Sequence, residues 1–416
     1  MRHIPTYLNI AFLLIFSYST SYSQNSTTIY LGSGYSNQSF FNFQTNYEVK
    51  NETNNNWDLA FSTGSMSSTI RTNDGHGVEL YTYSMGDTSD WNNISSSSIT
   101  MVNSNLYNSD SNWTTGSFSS HQSSGFDLGW GMYSMITHHV TGDSIHLIRT
   151  VNGNWKKLWM EKLASGTYFF RHANLDGSNL VTQTISKSNY NTKNFVYYSI
   201  DNNAIIDREP NEFDWDITFT KYIAHDMFMP YSVTGVLANN GIEVAQANNI
   251  SNPYNYSNYT NHTFESIINV IGYDWKTYDF SSGGYQISND LCYFIKDRND
   301  DIFRLVLEEF EGSSTGKVVF NSSNISSTSL FDKNKAPEIN IYPNPVNNIL
   351  NVLTDFTNEK IKISIFDLTG KMTYENIFMS NGFQNHQIDV SQLQSGSYFV
   401  IFDLNDSTVT KKIIIN

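Results

Sequence analysis

Apolar and polar residues alternate along this chain in short runs and do not recur at helical spacing. SIHLIRTV (144–151), KKLWMEKL (156–163) and IKISIFDL (361–368) are typical, each bounded by Asn, Gly, Ser or Asp. Period-two segments closed by turn residues predict half-buried strands. VNGNW (151–155) and DRNDD (297–301) predict hairpin turns. Nothing reads as strand–helix–strand alternation. The predicted fold class is therefore all-β: two related β-sheet or sandwich units, then a C-terminal immunoglobulin-like sandwich of seven strands.

The two units are predicted from an internal repeat. NWDLAF (56–61) recurs as DWDITF (214–219), and NDGHGVEL (73–80) as NNGIEVAQ (239–246). GWGMYSM (129–135) recurs as YDWKTYDF (273–280), pairing Trp130 with Trp275 and Tyr133 with Tyr278. IHLIRTVNGNWKKLWMEK (145–162) lies without gaps over CYFIKDRNDDIFRLVLEE (292–309). The order is kept while loop lengths differ, so two copies of one β-unit are expected, at 24–192 and 193–332. Trp57, Trp130, Trp215 and Trp275 are their expected core, with Asp58 and Asp216 on the opposite face. Two copies are fewer than the three or more that a solenoid needs. KNKAPEIN (333–340) then reads as a Pro-containing polar linker, and 341–416 as a separate domain.

The first 23 residues carry Arg2 and His3, then an apolar stretch from Tyr7 to Tyr18, then small polar residues. This three-part layout predicts a secretory signal peptide cut near Ser23 or Gln24. No later segment approaches 18 apolar residues, so no membrane span is expected.

Composition narrows the partners. Of 416 residues, 24 are Lys or Arg and 39 are Asp or Glu, a net charge of −15 that argues against a nucleic-acid binder. Aromatic residues make up 15 %, with 26 Tyr, and suit stacking on a sugar or a protein partner. Cys292 is the single cysteine, which excludes an internal disulfide, a cysteine zinc site and an iron–sulfur cluster. There is no GxSxG elbow, no HExxH and no EF-hand pattern. Catalytic residues and a metal site are not expected, and the chain reads as a non-enzyme.

IYPNPVNNILNV (341–352), ISIFDLTGK (363–371), IDVSQLQSGSYFVIF (388–402) and KKIIIN (411–416) resemble the type A C-terminal sorting domain of the type IX (Por) secretion system of Bacteroidetes. Tyr342, Pro343, Asn344, Pro345, Gly370, Gly396, Tyr398, Lys411 and Lys412 carry the resemblance. It implies contact with the type IX translocon and sorting machinery, and a final place outside the cell or on the outer-membrane surface. Gly396 is expected to end one strand before Tyr398 begins the next.

The remainder resembles the HmuY-like haem-carrier family, through NWDLAF, TIRTNDGHGVEL (69–80), GWGMYSMITHHVT (129–141), IHLIRTVNGNWKKLWM (145–160) and GTYFFRHANLDG (166–177). The resemblance implies haem held by axial side chains. His138 or His139 would supply one ligand, since strand neighbours face opposite ways. His121, Met132 or Met135 could supply another. In the second copy these histidines are replaced by Gly283 and Gly284, or by Tyr285, and His146 by Tyr293, so any haem is expected in the first unit. The expected function is non-catalytic ligand capture at the cell surface, with haem leading. The alternative is an adhesin-like protein that contacts a glycan or protein without a cofactor.

Overall fold

The structure, a computed structural model, describes residues 26–326 except 103, 124 and 226–228, and residues 339–416 except 405–407. The expected signal peptide, and the expected linker up to residue 338, lie outside the described residues. The chain divides into two compact units at Ser326/Ser327. Both are built from strands, as the alternation predicted, and no helix among the described residues is long and apolar enough to cross a membrane.

The body contains two runs of eleven strands. The first is β1 (Ser26–Tyr30), β2 (Asn37–Asn42), β3 (Tyr47–Thr53), β4 (Leu59–Ser62), β5 (Ile70–Thr72), β6 (Glu79–Thr82), β7 (Gly131–Tyr133), β8 (Val140–Gly142), β9 (Ile145–Arg149), β10 (Trp155–Ala164) and β11 (Thr167–Asn174). The second is β12 (Val181–Ser186), β13 (Phe195–Ser199), β14 (Ala204–Ile206), β15 (Ile217–Ala224), β16 (Tyr231–Ala238), β17 (Glu243–Ala247), β18 (Lys276–Asp279), β19 (Gly284–Ile287), β20 (Cys292–Lys296), β21 (Ile302–Phe310) and β22 (Lys317–Asn324).

The pairing is reciprocal. Sheet order β12-β11-β10-β9-β6 matches β1-β22-β21-β20-β17, and β14-β13-β4-β5 matches β3-β2-β15-β16. Each run thus lends its first three strands to the other: β1–β3 complete the sandwich built on β15–β22, and β12–β14 complete the one built on β4–β11. This corrects the division expected at 192/193. The runs join between Asn174 and Val181, and each sandwich takes strands from both.

Local chemistry is duplicated as well. The Asn73 amide donates to the carbonyls of Asn54 (2.7 Å) and Trp57 (3.0 Å). The Asn239 amide donates to those of Glu212 and Trp215 (both 2.8 Å). Asp58 accepts from the Val151 and Ile200 amides at 2.8 and 2.7 Å, while Asp216 accepts from Phe43 at 2.8 Å and faces Arg298 at 3.7 Å. Trp57 and Trp215 are buried as expected, and both carboxylates are buried as well, among these partners. Burial pushes each up to about 6. A β-bulge recurs at Met160/Lys162 and Leu307/Glu309, turning the end of each long strand.

The cores lie inside the sandwiches. Leu59, Phe61, Ile148, Leu158, Phe170 and Tyr198 fill one, and Phe41, Ile217, Phe219, Tyr293, Leu305 and Phe320 the other. Each such side chain contributes about 1.5–3 kcal/mol. On β21 the residues between the core positions, Ile302 and Val306, are buried too, against Phe294 and Ala245, which is why this strand reads as nearly continuous apolar sequence. The two inner four-stranded sheets meet across a polar and aromatic layer. Gln38 bridges Thr218 (3.0 Å) and Arg208 (2.6 Å), Tyr197 donates to Glu209 (2.9 Å), and the Trp113 indole donates to the Ala238 carbonyl (2.8 Å).

The tail forms one sheet system of β23 (Asn340–Tyr342), β24 (Ile349–Asp367), β25 (Met372–Asp389), β26 (Gly396–Asp403) and β27 (Thr408–Ile415). These are five strands. This corrects the seven strands expected: residues that read as separate short strands run on in the long β24–β25 hairpin, whose register shifts only locally, between Phe356 and Glu359 and between Ile365 and Phe366. Leu350, Val352, Ile363, Val400, Phe402 and Ile413 are among its core.

Candidate functional site

The expected haem ligands fall on the β7–β8 hairpin and one nearby loop. Trp130 is buried at the hairpin base, its indole donating to the Ser68 carbonyl at 3.2 Å. Met135 is 67 % exposed at the tip. His138 is exposed at φ +57°, and its Nδ1 meets the Tyr133 hydroxyl at 2.8 Å. His139 is half-buried and accepts the Ser134 amide through its carbonyl at 2.8 Å. His121 is exposed on a different loop, after the 3-10 turn Ser117–Ser119. The hairpin therefore gathers Met135, His138 and His139, and the groove described below is lined by none of the four. No group of three or more His, Cys, Asp or Glu able to hold a metal occurs among the described residues.

Two further histidines are interior. His172 Nε2 meets the Tyr198 hydroxyl at 3.0 Å, and burial pulls its pKa down to about 4. His146 packs on Phe118 at 4.8 Å, and burial pulls it down to about 3. Both are neutral at physiological pH.

The corresponding place in the second run is a groove of about 460 Å³, within the range of small-ligand sites. Tyr35, Tyr231, Tyr273, Tyr278, Tyr285 and Phe310 supply its rings. Tyr35 stacks on Phe310 at 5.8 Å, Tyr285 meets Phe310 edge-on at 4.7 Å, and Tyr278 meets Tyr285 at 5.1 Å. The Tyr231 hydroxyl bonds that of Tyr273. Gly312, at φ +81°, leaves room for Tyr285: a Cβ there would sit 3.1 Å from the ring. Ser232, Thr234 and Thr277 also line the groove, and its charged residues are Lys221, Asp274 and Lys276.

Lys276 organises the floor. Its ammonium donates to the carbonyls of Thr234 (2.5 Å) and Tyr273 (3.2 Å), and lies 4.2 Å from the Trp275 ring and 4.7 Å from that of Phe310. Burial pulls its pKa down to about 7, opposed by Asp274. Burial and neighbouring Tyr285 push the Tyr35 hydroxyl well up. At the matching positions the first run has Gly131 for Lys276, Leu163 for Phe310 and Tyr190 for Tyr35; Leu163 and Tyr190 pack onto the core there. None of these groove residues was a sequence candidate. The signal available was the alignment itself, which sets Lys276 against Gly131 between two otherwise matched aromatic residues.

In the tail, Asn344 pins the last strand, its amide donating to the Lys412 carbonyl and its Oδ1 accepting the Ile414 amide, each at 2.9 Å. The peptide bonds before Pro343 and Pro345 are cis. Tyr342 is exposed beside them. Gly370 takes φ +83° in the turn after β24. Gly396 is the first residue of β26 and Tyr398 the third, so Gly396 opens that strand where sequence had it closing the one before. The Tyr398 hydroxyl donates to the Gln394 carbonyl at 2.8 Å, and Lys411 and Lys412 are exposed.

Residues 340–416 match the family model described as the secretion system C-terminal sorting domain, one residue before the boundary expected from sequence. The tail indicates export by the type IX secretion system, interaction with its machinery, and a destination at or beyond the cell surface. No curated protein matches the chain.

Proposed function

We propose that the body is a non-catalytic ligand-capturing protein, displayed or released after type IX export, and that its ligand seats a sugar ring in the tyrosine-lined groove. One observation carries this reading: five tyrosines and Phe310, packed on one another by stacked and edge-on contacts, surround an open cavity, with Ser232, Thr234 and Thr277 among them. Aromatic rings stack on the C–H faces of a sugar, and hydroxyls and carbonyls take its polar rim. Haem capture through His138 or His139 with His121 or Met135 is the alternative. It is the weaker of the two because those residues stand on an exposed hairpin tip and a separate loop, and do not line the groove.

A titration of the full chain with a glycan panel, followed by intrinsic tyrosine and tryptophan emission, tests the groove. Saturable quenching that is lost in Tyr285→Ala is the expected result. A parallel haemin titration giving a Soret band that disappears in His138→Ala/His139→Ala, with no glycan response, would replace this reading by the haem one.

A further inference from the structure

We infer that the groove selects a carboxylate-bearing sugar, a uronic acid or an equivalent acidic residue at a glycan end, with Lys276 as the residue that reads the charge. This rests on the groove being the ligand site. The charged residues lining it are Lys221, Lys276 and Asp274, a positive balance on a molecule whose net charge is −15. The positive spot therefore coincides with the ring-lined cavity. Lys276 is also fixed in place: two of its three hydrogens go to the Thr234 and Tyr273 carbonyls, and Trp275 and Phe310 flank its ammonium. A lysine so held loses little rotamer freedom on meeting a carboxylate, which removes much of the entropy cost that makes flexible surface pairs weak. The half-dry setting strengthens the pair further. Phe310 contributes to both the cation and the ring wall, so the carboxylate and the stacked ring would be read from one side chain outward, as the substituent and the ring of a uronic acid require. The first run has Gly131 at the matching position, so charge reading belongs to one run alone.

The test compares galacturonate and glucuronate with their methyl esters, which keep the ring and remove the charge, by calorimetric titration of the full chain. The acids should bind about tenfold tighter than the esters, a difference of 1.4 kcal/mol. Lys276→Met should abolish that preference, so that acid and ester bind alike. Acid binding by the wild type should also weaken as pH rises through about 7, as Lys276 loses its proton. Asp274, Lys221 and the phenols of Tyr35, Tyr231, Tyr273, Tyr278 and Tyr285 face the same ammonium. All of them remain in Lys276→Met, so the difference between the two pH profiles isolates Lys276. Equal binding of acid and ester overturns the charge inference and leaves the groove reading standing. No binding of either, with the protein folded by circular dichroism, overturns both. Should Lys276→Met fail to fold, the acid–ester comparison in the wild type decides alone.

Discussion

The two runs of the body share a skeleton and differ in chemistry. Asn73 and Asn239 make the same pair of bonds, Asp58 and Asp216 both hold backbone amides, and the bulges at Met160/Lys162 and Leu307/Glu309 coincide in register. All of these lie within the sheets or where strands enter them. The differences gather at the hairpins. β7–β8 ends in the exposed apolar tip Met135 and Ile136, while β18–β19 forms a wall of a groove with a lysine in its floor. Buried polar groups tolerate little change because each would leave partners unsatisfied, whereas a hairpin tip in solvent is free to vary. The two runs thus agree in the groups that hold the sheets together and differ at the hairpins.

The largest effect should come from breaking the reciprocal exchange. Removing residues 26–53 takes Ile29, Leu31, Phe41 and Phe43 from the second core. At roughly 2–4 kcal/mol for each lost side chain, the sum is comparable with the whole stability of a domain, about 5–15 kcal/mol. A chain beginning at Asn54 should lose the second sandwich and keep the first, which β12–β14 complete. Near-ultraviolet circular dichroism should show this, and adding a 26–53 peptide should restore the signal. An undiminished cooperative melt in the shortened chain would mean that the exchange is dispensable. A chain ending at residue 192 should fail in the opposite sandwich, because it lacks β13 and β14.

Next in size is the paired asparagine. Asn73→Ala and Asn239→Ala each leave two buried carbonyls without their donor, at a cost of about 2–3 kcal/mol by urea denaturation. The comparison requires a clear cost at both sites, with Asn239→Ala also taking the acceptor from the Asn194 amide and the Asn240 N–H. A large loss at one and none at the other would show that the matching bonds do not carry matching weight.

Legibility in the sequence followed the same divide. The period-two alternation gave the all-β class, and the WD, GW and hairpin pairings located strands that do correspond. The exchange stayed hidden because alignment reports which segments are alike, not which ones pair. β1–β3 resemble β12–β14 only through short polar strands such as NQSFFN, too weak to be matched by eye. The burial of Asp58 is not legible because its partners, the amides of Val151 and Ile200, lie 93 and 142 residues further along the chain. The tail was legible almost to the residue because YPNP, DLTGK and SGSYF are local turn and strand-entry chemistry. The groove was not, since its rings come from stretches far apart in the chain, Tyr231, Tyr278 and Phe310 of the second run and Tyr35, which the exchange brings to them.

A pH comparison sharpens the pairing of the two aspartates. Burial holds both at about 6, above their unfolded value of about 4. A group raised in the folded state adds stability below its unfolded pKa and loses that contribution as pH climbs through its folded one. The wild type should thus lose about 2–3 kcal/mol per aspartate between pH 4 and 7 from this source. His76, His146 and His172, all pulled down by burial, oppose it by weakening the fold as pH falls below 6.5. Substitution separates the two: Asp216→Asn removes one aspartate and leaves all three histidines. Its stability relative to wild type should improve steadily from pH 4 to 7, whatever its absolute cost. A difference that is flat with pH would show that Asp216 titrates alike in the folded and unfolded chains.

The smallest effects belong to the hairpin tips, where the runs differ most. Phe280 is 91 % exposed and Ile136 92 %. Neither buries enough surface to matter to folding, so Phe280→Ser and Ile136→Ser should each change stability by less than about 0.5 kcal/mol. They should part company in binding. Phe280 meets Tyr278 edge-on at 5.1 Å, and Tyr278 lines the groove, so its loss should loosen that wall and weaken ring binding several-fold. Ile136 stands at the tip of the β7–β8 hairpin and does not line the groove, so its loss should leave ring binding unchanged. Equal weakening by both substitutions would mean that the tips act together on one ligand, and that the asymmetry between the runs is not where the function lies.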